Sequence, residues 1–338
     1  MSEPAATPAP AAPEPPPAWP RIRGVAWSGE SAHPIGSREA LVRALAKEGC
    51  TVWVDLTAPA DVSVDDVAGL LNLHPLIAED IAERNQRAKF EEVGGAIHLV
   101  MFAIEYGGEL VTTEVDLVLA KDALLSVHEP GWDPFAIPRL REDPGSILKR
   151  GPDFVLYTLT DAIVDGYFPV LDKLEDEIDA LQDDVIRRPT SWTLEKLFSL
   201  KRELIGLRRA TAPAREIFNQ VTNRDLVLVA PDHIVYFRDV YDHLIRVTDE
   251  LDNDRELVAG TLEVYLSTIN NNLSTIMKRL TGVTVILAGI GAVAGIFGMS
   301  EAGTAFRGGE AGGFWLVSLI VVIGAGLTAL FLRRIDWI

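Results

Sequence analysis

Two long stretches without a charged residue lie towards the C-terminal end of this chain, and they constrain its fold more than any other feature. The first covers 20 residues from Thr281 to Ser300, and the second covers 22 residues from Ala311 to Leu332. A helix needs about 20 apolar residues to cross the roughly 30 Å hydrocarbon core of a bilayer. Two buried helices of a soluble core fit less well, because core helices seldom run this far without a charge. The sequence therefore predicts two transmembrane helices joined by a short loop.

Basic residues flank this predicted hairpin on the side away from its loop. Lys278 and Arg279 precede the first stretch, Arg333 and Arg334 follow the second, and the loop carries a single basic residue, Arg307. Cytoplasmic flanks of membrane helices are enriched in Lys and Arg. We therefore expect both ends of the hairpin in the cytosol and the loop outside.

Charge and cysteine content narrow the function classes. The chain has 31 Lys and Arg against 49 Asp and Glu, a net charge of -18. This balance argues against a nucleic-acid partner and is compatible with cation partners. Cys50, the only cysteine, cannot form an intramolecular disulfide and is expected to be a buried small side chain. The Pro- and Ala-rich start has no apolar signal segment and predicts a disordered tail, so the bulk of the chain is expected in the cytosol.

Between Trp19 and about residue 130 the sequence predicts an α/β domain. Two segments have helical spacing, SREALVRALAKEG, opened by Ser37 and closed by Gly49, and SVDDVAGLLNLH. Short β-rich segments bounded by Gly and Asp predict strands: RIRGVAWSG, CTVWVDL, AIHLVMFAIEY, TTEVDLVLA and ALLSVHE.

From about residue 151 the pattern changes to long helices. VDGYFPVLDKLEDEIDALQDDVI has apolar residues near 3.6 spacing, and LEKLFSLKRELIGLRRATAPAREIFNQV predicts a second helix with a bend at Pro213. A third helix begins near His233 and meets no Pro or Gly before Gly260. If it continues to Gly298, it is about 95 Å long. Such a helix suggests a mechanical link between a cytosolic sensor and a membrane pore.

Two near-matches to enzyme motifs fall in the first apolar stretch, and neither predicts catalysis. GMSEAG departs from the G-x-S-x-G nucleophile motif at Ala302, and GIGAVAG misses G-x-G-x-x-G by one position with no strand before it. His74 and His128 lack a second His or Cys at metal-binding spacing and are expected to be structural. We therefore do not expect an enzyme.

Several segments carry a family resemblance. They are WVDLTAPADVSVDDVAGLLNLHPLIAEDI, RAKFEEVGGAIHLVMFAI, YFPVLDKLEDEIDALQ, LKRELIGLRRATAPAREIF, YFRDVYDHLIRVTDELDNDRELVAGTLEVYLSTINNNLSTIMKRLT and AGIFGMS. Through them the chain resembles the CorA family of divalent metal ion transporters over nearly its whole length, apart from the first twenty residues. The hallmark of that family is Gly-Met-Asn at the outer end of the first membrane helix. Here Gly298 and Met299 match, and Ser300 stands in place of the Asn.

The resemblance implies a funnel-shaped homopentamer of α+β membrane subunits in the inner (plasma) membrane, with both termini cytoplasmic. Each subunit would have a cytosolic α/β domain, a long helical stalk and a C-terminal two-helix transmembrane hairpin. The implied segments are a disordered tail (1–19), the α/β domain (20–150), the stalk (151–280), the pore-lining helix (281–300), the external loop (301–310), the second transmembrane helix (311–332) and a basic cytosolic C-terminus (333–338).

The resemblance also implies an ion pathway, with Gly298, Met299, Ser300 and Glu301 as its selectivity filter. Mg²⁺ dehydrates reluctantly, so a pore grips its water shell more easily than it strips it. In the family a ring of Asn carbonyls meets the hydrated ion. Serine hydroxyls also accept hydrogen bonds from coordinated water, but their shorter reach predicts a wider aperture. Glu301 either attracts cations to the mouth or is a solvated loop acid.

Six residues at helical spacing back from the mouth would line the pore, with the first two as an apolar constriction: Met277, Leu280, Thr284, Ala288, Gly291 and Gly295. The alternative is that this stripe of residues only packs against the second helix. No phosphate-binding loop is present. A divalent ion gains about 4.6 kcal/mol per 100 mV of membrane potential, which supports roughly thousandfold accumulation without ATP. The expected transport is therefore passive.

Regulation by cytosolic Mg²⁺ is implied by intersubunit carboxylates of the family, for which Asp80 and Glu263 are the matching candidates. Mg²⁺ would be both transported and regulatory, and no organic cofactor is expected. Acids also crowd two helices, and taken singly each is expected to be a solvated surface acid: Asp172, Glu175, Asp176, Glu177, Asp179, Asp183 and Asp184 on one, and Asp239, Asp242, Asp249, Asp252 and Asp254 on the other.

Two other functions remain open at this point. One is a zinc-preferring, proton-coupled member of the same superfamily, and the substitution at Ser300 leaves the choice among Mg²⁺, Co²⁺, Ni²⁺ and Zn²⁺ unsettled. The other is a two-helix membrane sensor that no longer conducts ions. Uptake in a transport-deficient host separates the first from a Mg²⁺ transporter, and ion flux through the purified protein in liposomes separates the second.

Overall fold

The computed structural model describes most of the chain in four ranges and shows two compact units within them. The described residues are 21–57, 64–84, 87–299 and 310–335. The first unit contains the described residues up to Asp179 together with Phe198–Val258, and the second contains Ala180–Leu197 together with the described residues from Ala259 onward.

One mixed sheet in the first unit contains seven strands of the described chain. In chain order they are β1 (Arg21–Ser28), β2 (Ser31–Ile35), β3 (Thr51–Thr57), β4 (Lys89–Val93), β5 (Ala96–Tyr106), β6 (Leu110–Leu119) and β7 (Ala123–His128). Their order across the sheet is β2-β1-β3-β7-β6-β5-β4, and β3 and β7 are parallel while the other neighbours are antiparallel. Each of the five predicted strand segments forms a strand.

The two strands that the sequence pattern did not predict, β2 and β4, are the two edges of the sheet. The first has the sequence SAHPI, with Pro34 in a position that a central strand would not tolerate. The second has the sequence KFEEV, whose charges are typical of a strand with one unpaired side. Edge strands need neither alternation nor apolar content, which explains why a hydrophobic pattern misses them.

The helices of the described chain lie between and after these strands. They are α1 (Arg38–Leu45), α2 (Val64–Leu70), α3 (Pro75–Glu83), α4 (Pro138–Glu142), α5 (Pro144–Leu148), α6 (Pro152–Asp165), α7 (Phe168–Arg187), α8 (Ser191–Asn223), α9 (Ile234–Met299) and α10 (Glu310–Arg334), with short 3-10 helices at Pro134–Ala136 and Pro231–His233. Ser37 caps α1 as predicted, since its side chain accepts a hydrogen bond from the Ala40 amide. That helix ends at Leu45, before Gly49, and α3 was not predicted as a separate helix.

The core of the α/β domain lies on both faces of the central strands. Every residue of β7 is buried, and β3 is buried except at its two ends. Aliphatic side chains of α1, α2 and α3, among them Leu41, Val67 and Ile81, pack with β3 in one hydrophobic cluster. Burial of both faces is what lets the central strands be continuous apolar runs. Cys50 is buried in the same cluster, as predicted.

Two helical stretches of the described chain are long and apolar enough to cross a membrane. In Pro152–Arg187, 67% of the apolar stretch is buried, so packing inside the protein accounts for its apolar residues. In Pro231–Ile296, only 6% of the apolar stretch is buried. From Ile234 onward it belongs to α9, a single helix of 66 residues, which confirms the predicted unbroken helix from near His233 to Gly298.

Candidate ion pathway and metal-binding clusters

The predicted pore stripe lies on one side of α9. Its six members, Met277 to Gly295, follow one another at intervals of three and four residues, which brings them to the same face of a helix. Met277 and Leu280 are 58% and 59% exposed in the single chain. The Thr284 hydroxyl donates a hydrogen bond to the Leu280 carbonyl oxygen at 2.8 Å, so its proton is already bonded within the helix. The stripe is therefore apolar or small along most of its length.

The rest of this part of α9 is just as uncovered. Between Leu266 and Ile296, a range that the structure describes throughout, Gly282 is the one buried residue. Large apolar side chains such as Leu273 and Leu287 are more than half exposed. An apolar surface of this extent is not stable in water and requires lipid or other protein to cover it.

Two of the four predicted filter residues lie within the described part of the chain. Gly298 and Met299 are the last two helical residues of α9. Ser300 and Glu301 lie outside the described residues. The role of these four residues in selectivity is still a prediction.

The two predicted regulatory carboxylates have different surroundings. Asp80 lies on α3, where its Oδ2 accepts a hydrogen bond from the Lys89 ammonium at 2.5 Å. Glu263 lies on α9 and is exposed. Burial alone would lower the pKa of the Lys89 ammonium, but its hydrogen bond to Asp80 and the charges of Glu91 and Asp80 outweigh this effect and raise the pKa. Asp80 is thus already paired with a cation inside its own domain.

A first group of residues that could hold a metal ion was not predicted from the sequence. One carboxylate oxygen each of Asp80 and Glu91 and one ring nitrogen of His98 lie within 4.8 Å of one another. We call these three residues the His98 cluster. Glu91 and His98 are directly opposite each other on β4 and β5, in a register that follows from the tight turn at Gly94 and Gly95, both with positive φ. Because β4 itself was not predicted, no sequence signal brought the three residues together.

A second such group, the His243 cluster, consists of Asp161 and Asp165 on α6 and His243 on α9. His243 Nδ1 lies 3.1 Å from Asp165 Oδ1. Burial and the neighbouring charge of Asp165 raise the pKa of Asp161, although Arg139 and His243 act against them. Both aspartates line an open groove of about 540 Å³, so an ion could reach them from solvent. The four-residue spacing of the aspartates was a signal available in the sequence.

Asp254, one of the acids on the two acid-rich helices, was predicted to be a solvated surface acid, and this prediction is wrong. Asp254 is only 6% exposed, and burial, with the charges of Glu175, Glu250 and Asp179, raises its pKa to about 6. The sequence places Asp254 on an acidic helix but does not show that α7 packs over it. Glu177 also differs from a freely solvated acid, because its Oε1 accepts a hydrogen bond from the Tyr106 hydroxyl at 2.9 Å.

The histidines predicted to be structural are structural. His74 caps α3, where its Nδ1 accepts a hydrogen bond from the Leu76 amide. His128 is buried, with Nε2 3.3 Å from the Asp55 carboxylate, and the Ser126 hydroxyl donates to the same carboxylate at 2.7 Å. Ser126 and His128 thus both bond to Asp55, whereas a catalytic serine needs a histidine base within hydrogen-bond distance of its own hydroxyl. This buried group is a structural network and not a catalytic one.

These features define a class of protein. An α/β domain with two groups of residues that could hold a metal ion is continuous in sequence, through long helices, with an apolar helix that the single chain leaves uncovered. This is the organisation of a membrane transporter for metal cations.

Known proteins identify the family. The model of a family described as CorA-like Mg²⁺ transporter protein matches residues 48–334. The cobalt/magnesium transport protein CorA of Thermotoga maritima is 36% identical over 255 residues, which cover 73% of this chain and 72% of that protein. The cobalt/magnesium transport protein CorA of Methanocaldococcus jannaschii is 24% identical over 292 residues, which cover 85% of this chain and 91% of that protein.

A solved structure shows the same fold. The complete CorA magnesium transporter of Methanocaldococcus jannaschii superposes with a TM-score of 0.78 at 21% identity, and the match covers 94% of this chain and 98% of that one. The chain belongs to the CorA-like family of Mg²⁺ transporters. It is therefore a membrane transporter of divalent cations with the α+β fold of that family, and it is not an enzyme.

Proposed function

We propose that the chain assembles as a homopentameric channel for passive, potential-driven uptake of divalent cations across the inner membrane. Mg²⁺ is the proposed main substrate, with Co²⁺ and Ni²⁺ as further substrates, in line with the cobalt and magnesium transport for which the Thermotoga maritima relative is named. Both termini are cytoplasmic in this proposal, α9 and α10 cross the membrane, and the loop between them is external.

The observation that carries the proposal is the uncovered apolar surface of α9. A single helix pair cannot bury this surface, and a ring of subunits in lipid can, with the stripe from Met277 to Gly295 facing the axis. Small residues at Ala288, Gly291 and Gly295 leave space for a hydrated ion. Leu280 and Met277 then form the apolar constriction at which the pore can close by dewetting.

The ion enters past Gly298, Met299, Ser300 and Glu301 in this proposal. A ring of Ser300 hydroxyls would accept hydrogen bonds from the water shell of the ion, and Glu301 would raise the local cation concentration by its charge. Because a serine is shorter than the asparagine typical of the family, we expect a looser grip on the hydrated ion and weaker discrimination among divalent cations.

Regulation by cytosolic Mg²⁺ is proposed at two places. Asp80 and Glu263 would share an ion between neighbouring subunits, which requires Asp80 to leave the Lys89 ammonium. The His243 cluster is a further candidate, because both of its carboxylates line an open groove, and burial together with the neighbouring charge of Asp165 raises the pKa of Asp161. A bound cation relieves repulsion of this kind. High cytosolic Mg²⁺ would therefore stabilise the closed assembly.

The test is flux through purified protein in liposomes. A K⁺ gradient with valinomycin sets an inside-negative potential, and a fluorescent indicator inside reports Mg²⁺, Co²⁺, Ni²⁺ or Zn²⁺ entry. The proposal predicts Mg²⁺ entry that grows with the potential and is unaffected by a pH gradient. Zn²⁺ entry that requires a proton gradient would favour the proton-coupled alternative, and absence of any flux would favour a non-conducting sensor.

A further inference from the structure

His98 has one ring nitrogen with a partner and one without. Its Nε2 lies 2.8 Å from Asp116 Oδ1 on β6, and both side chains are buried. Its Nδ1 is also buried and has no hydrogen-bond partner within the part of the chain that the structure describes. Buried polar atoms are nearly always paired, so an unpaired ring nitrogen indicates that something else binds there.

The partner of Nδ1 can be inferred from the residues around it. One ring nitrogen of His98 lies within 4.8 Å of carboxylate oxygens of Asp80 and Glu91. Since Nε2 is engaged with Asp116, Nδ1 is the nitrogen left to bind an ion together with these carboxylates. The Asp80 and Glu91 side chains are 29% and 49% exposed, whereas that of His98 is fully buried. The cluster is therefore open to solvent on its carboxylate side and closed on its imidazole side, which gives an ion a path of entry.

The donor set selects a class of ion. A histidine that binds a metal usually donates its other ring N–H to a carboxylate, and the Asp116–His98 pair has this arrangement. It holds the proton on Nε2 and leaves the Nδ1 lone pair free. One imidazole and two carboxylates, completed by water, suit a first-row transition ion. Mg²⁺ is bound through oxygen ligands and gains nothing from the imidazole.

A cation already lies against the cluster. The Lys89 ammonium is 2.5 Å from Asp80 Oδ2 and 3.5 Å from Glu91 Oε2. Lys89 neutralises the two carboxylates but cannot satisfy His98 Nδ1, which keeps no hydrogen bond to any described residue. A metal ion satisfies all three groups, and its charge requires the ammonium to move away.

We propose that Asp80, Glu91 and His98 bind a divalent first-row transition ion, Zn²⁺ or Co²⁺, in exchange for the Lys89 ammonium. Zinc ligands lie about 2.0–2.2 Å from the ion and hence about 3.3–3.6 Å from one another. The present separations of up to 4.8 Å must therefore shorten, which the half-exposed Glu91 and an Asp80 released by Lys89 can accomplish. The site lies within one subunit and does not depend on transport.

The experiment is a Co²⁺ titration of the full-length protein in detergent after removal of metals with a chelator. The titration is run without Mg²⁺, because Mg²⁺ held by Asp80 and Glu263 would occupy a ligand of this site. Visible absorption separates Co²⁺ bound to imidazole and carboxylates at low coordination number from hexahydrated Co²⁺. We expect one saturable Co²⁺ per chain that Zn²⁺ displaces.

Substitutions within and beside the His98 cluster test whether the Co²⁺ absorption comes from this cluster. Glu91→Gln should weaken Co²⁺ binding at least about tenfold, and Asp116→Asn should weaken it about 10–100-fold through His98. Lys89→Met should strengthen it at least about fivefold, since a competing charge is removed, and a purely structural role of Lys89 would not cause this gain. The control Glu92→Gln alters the neighbouring glutamate, which pairs with Ile97 on the other face of the sheet, and should change nothing.

His98→Gln should abolish the signal, and circular dichroism checks that the variant is folded. Glu91 is half exposed on an edge strand, so Glu91→Gln is expected to fold. This variant therefore tests the proposal even if the His98 variant unfolds. Absence of saturable Co²⁺ binding, binding unchanged in Glu91→Gln, or binding lost in His243→Gln and retained in the His98 cluster variants would each overturn the proposal.

Discussion

Asp254 is a buried acid whose charge is expected to lower the stability of the protein at neutral pH. Its carboxyl group is buried on α9 and faces Glu175 and Asp179 of α7, with Glu250 one turn earlier. Its pKa is about 6 in the folded protein, against 3.8 for the free side chain. The folded state thus binds this proton more tightly than the unfolded state. The contribution of Asp254 to stability is therefore most favourable below about pH 4, falls as the pH rises towards 6, and stays lower above it.

The change to test is Asp254→Asn, which keeps the shape and removes the charge. A difference of about two pKa units corresponds to at most about 3 kcal/mol, and relaxation of the neighbouring acids reduces it, so we expect a gain of about 1–3 kcal/mol at pH 7.5. At pH 4 the gain should vanish, because the parent is then protonated. Thermal unfolding of the detergent-solubilised protein at both pH values measures the difference as a rise of several degrees.

Asp249→Asn is the matched control for this experiment. Asp249 lies on the same helix, five residues away, and is exposed. Its variant should unfold like the parent at both pH values. If Asp254→Asn is destabilising at pH 7.5, or if its gain is the same at pH 4 and pH 7.5, the carboxyl group is not held in an unfavourable charged state and the reasoning about α7 and α9 is wrong.

Three further predictions concern transport and topology. Ser300→Ala should sharply reduce flux at low ion concentration, because each lost hydrogen bond to the water shell is worth about 1 kcal/mol, and Ser300→Asn should raise Mg²⁺ selectivity over monovalent ions; equal conduction by both variants and the parent would place selection elsewhere. A reporter on the C-terminus should be cytosolic, and an Ala305→Cys variant should react with an external thiol label while the buried Cys50 does not; a C-terminus reached from outside would refute the hairpin. Neutralising Asp80 and Glu263 together should relieve inhibition by cytosolic Mg²⁺, and unchanged inhibition would remove this pair as the sensor.

The parts of the fold that were predictable have a clear pattern of apolar residues along the sequence. The central strands are buried on both faces, and the long helices repeat their apolar residues near every 3.6 positions, so one-dimensional patterns reveal them. The edge strands β2 and β4 are short, polar and stabilised by pairing with one neighbour only. Their formation depends on tertiary contacts that a pattern of residues does not contain.

The candidate sites also differ in how far the sequence could predict them. The stripe from Met277 to Gly295 could be predicted because its residues share one helix, so spacing alone determines which face they occupy. The His98 cluster joins α3, β4 and β5, and its geometry depends on a turn and an edge pairing that were not predicted. The burial of Asp254 likewise follows from how α7 lies against α9, which charge counting along either helix cannot reveal.

The effect of a membrane-impermeant, positively charged thiol reagent on Mg²⁺ flux in liposomes shows directly whether ions pass along the stripe from Met277 to Gly295. Ala288→Cys places a thiol on the stripe, and Ile290→Cys places one about 200° around the same helix. Both positions are exposed in the single chain, and burial raises the pKa of the Cys50 thiol, so the parent should not react. If ions pass along the stripe, the reagent blocks flux through Ala288→Cys and leaves Ile290→Cys and the parent conducting. Equal sensitivity of the two variants, or block of Ile290→Cys alone, would contradict a pore lined by this face of α9.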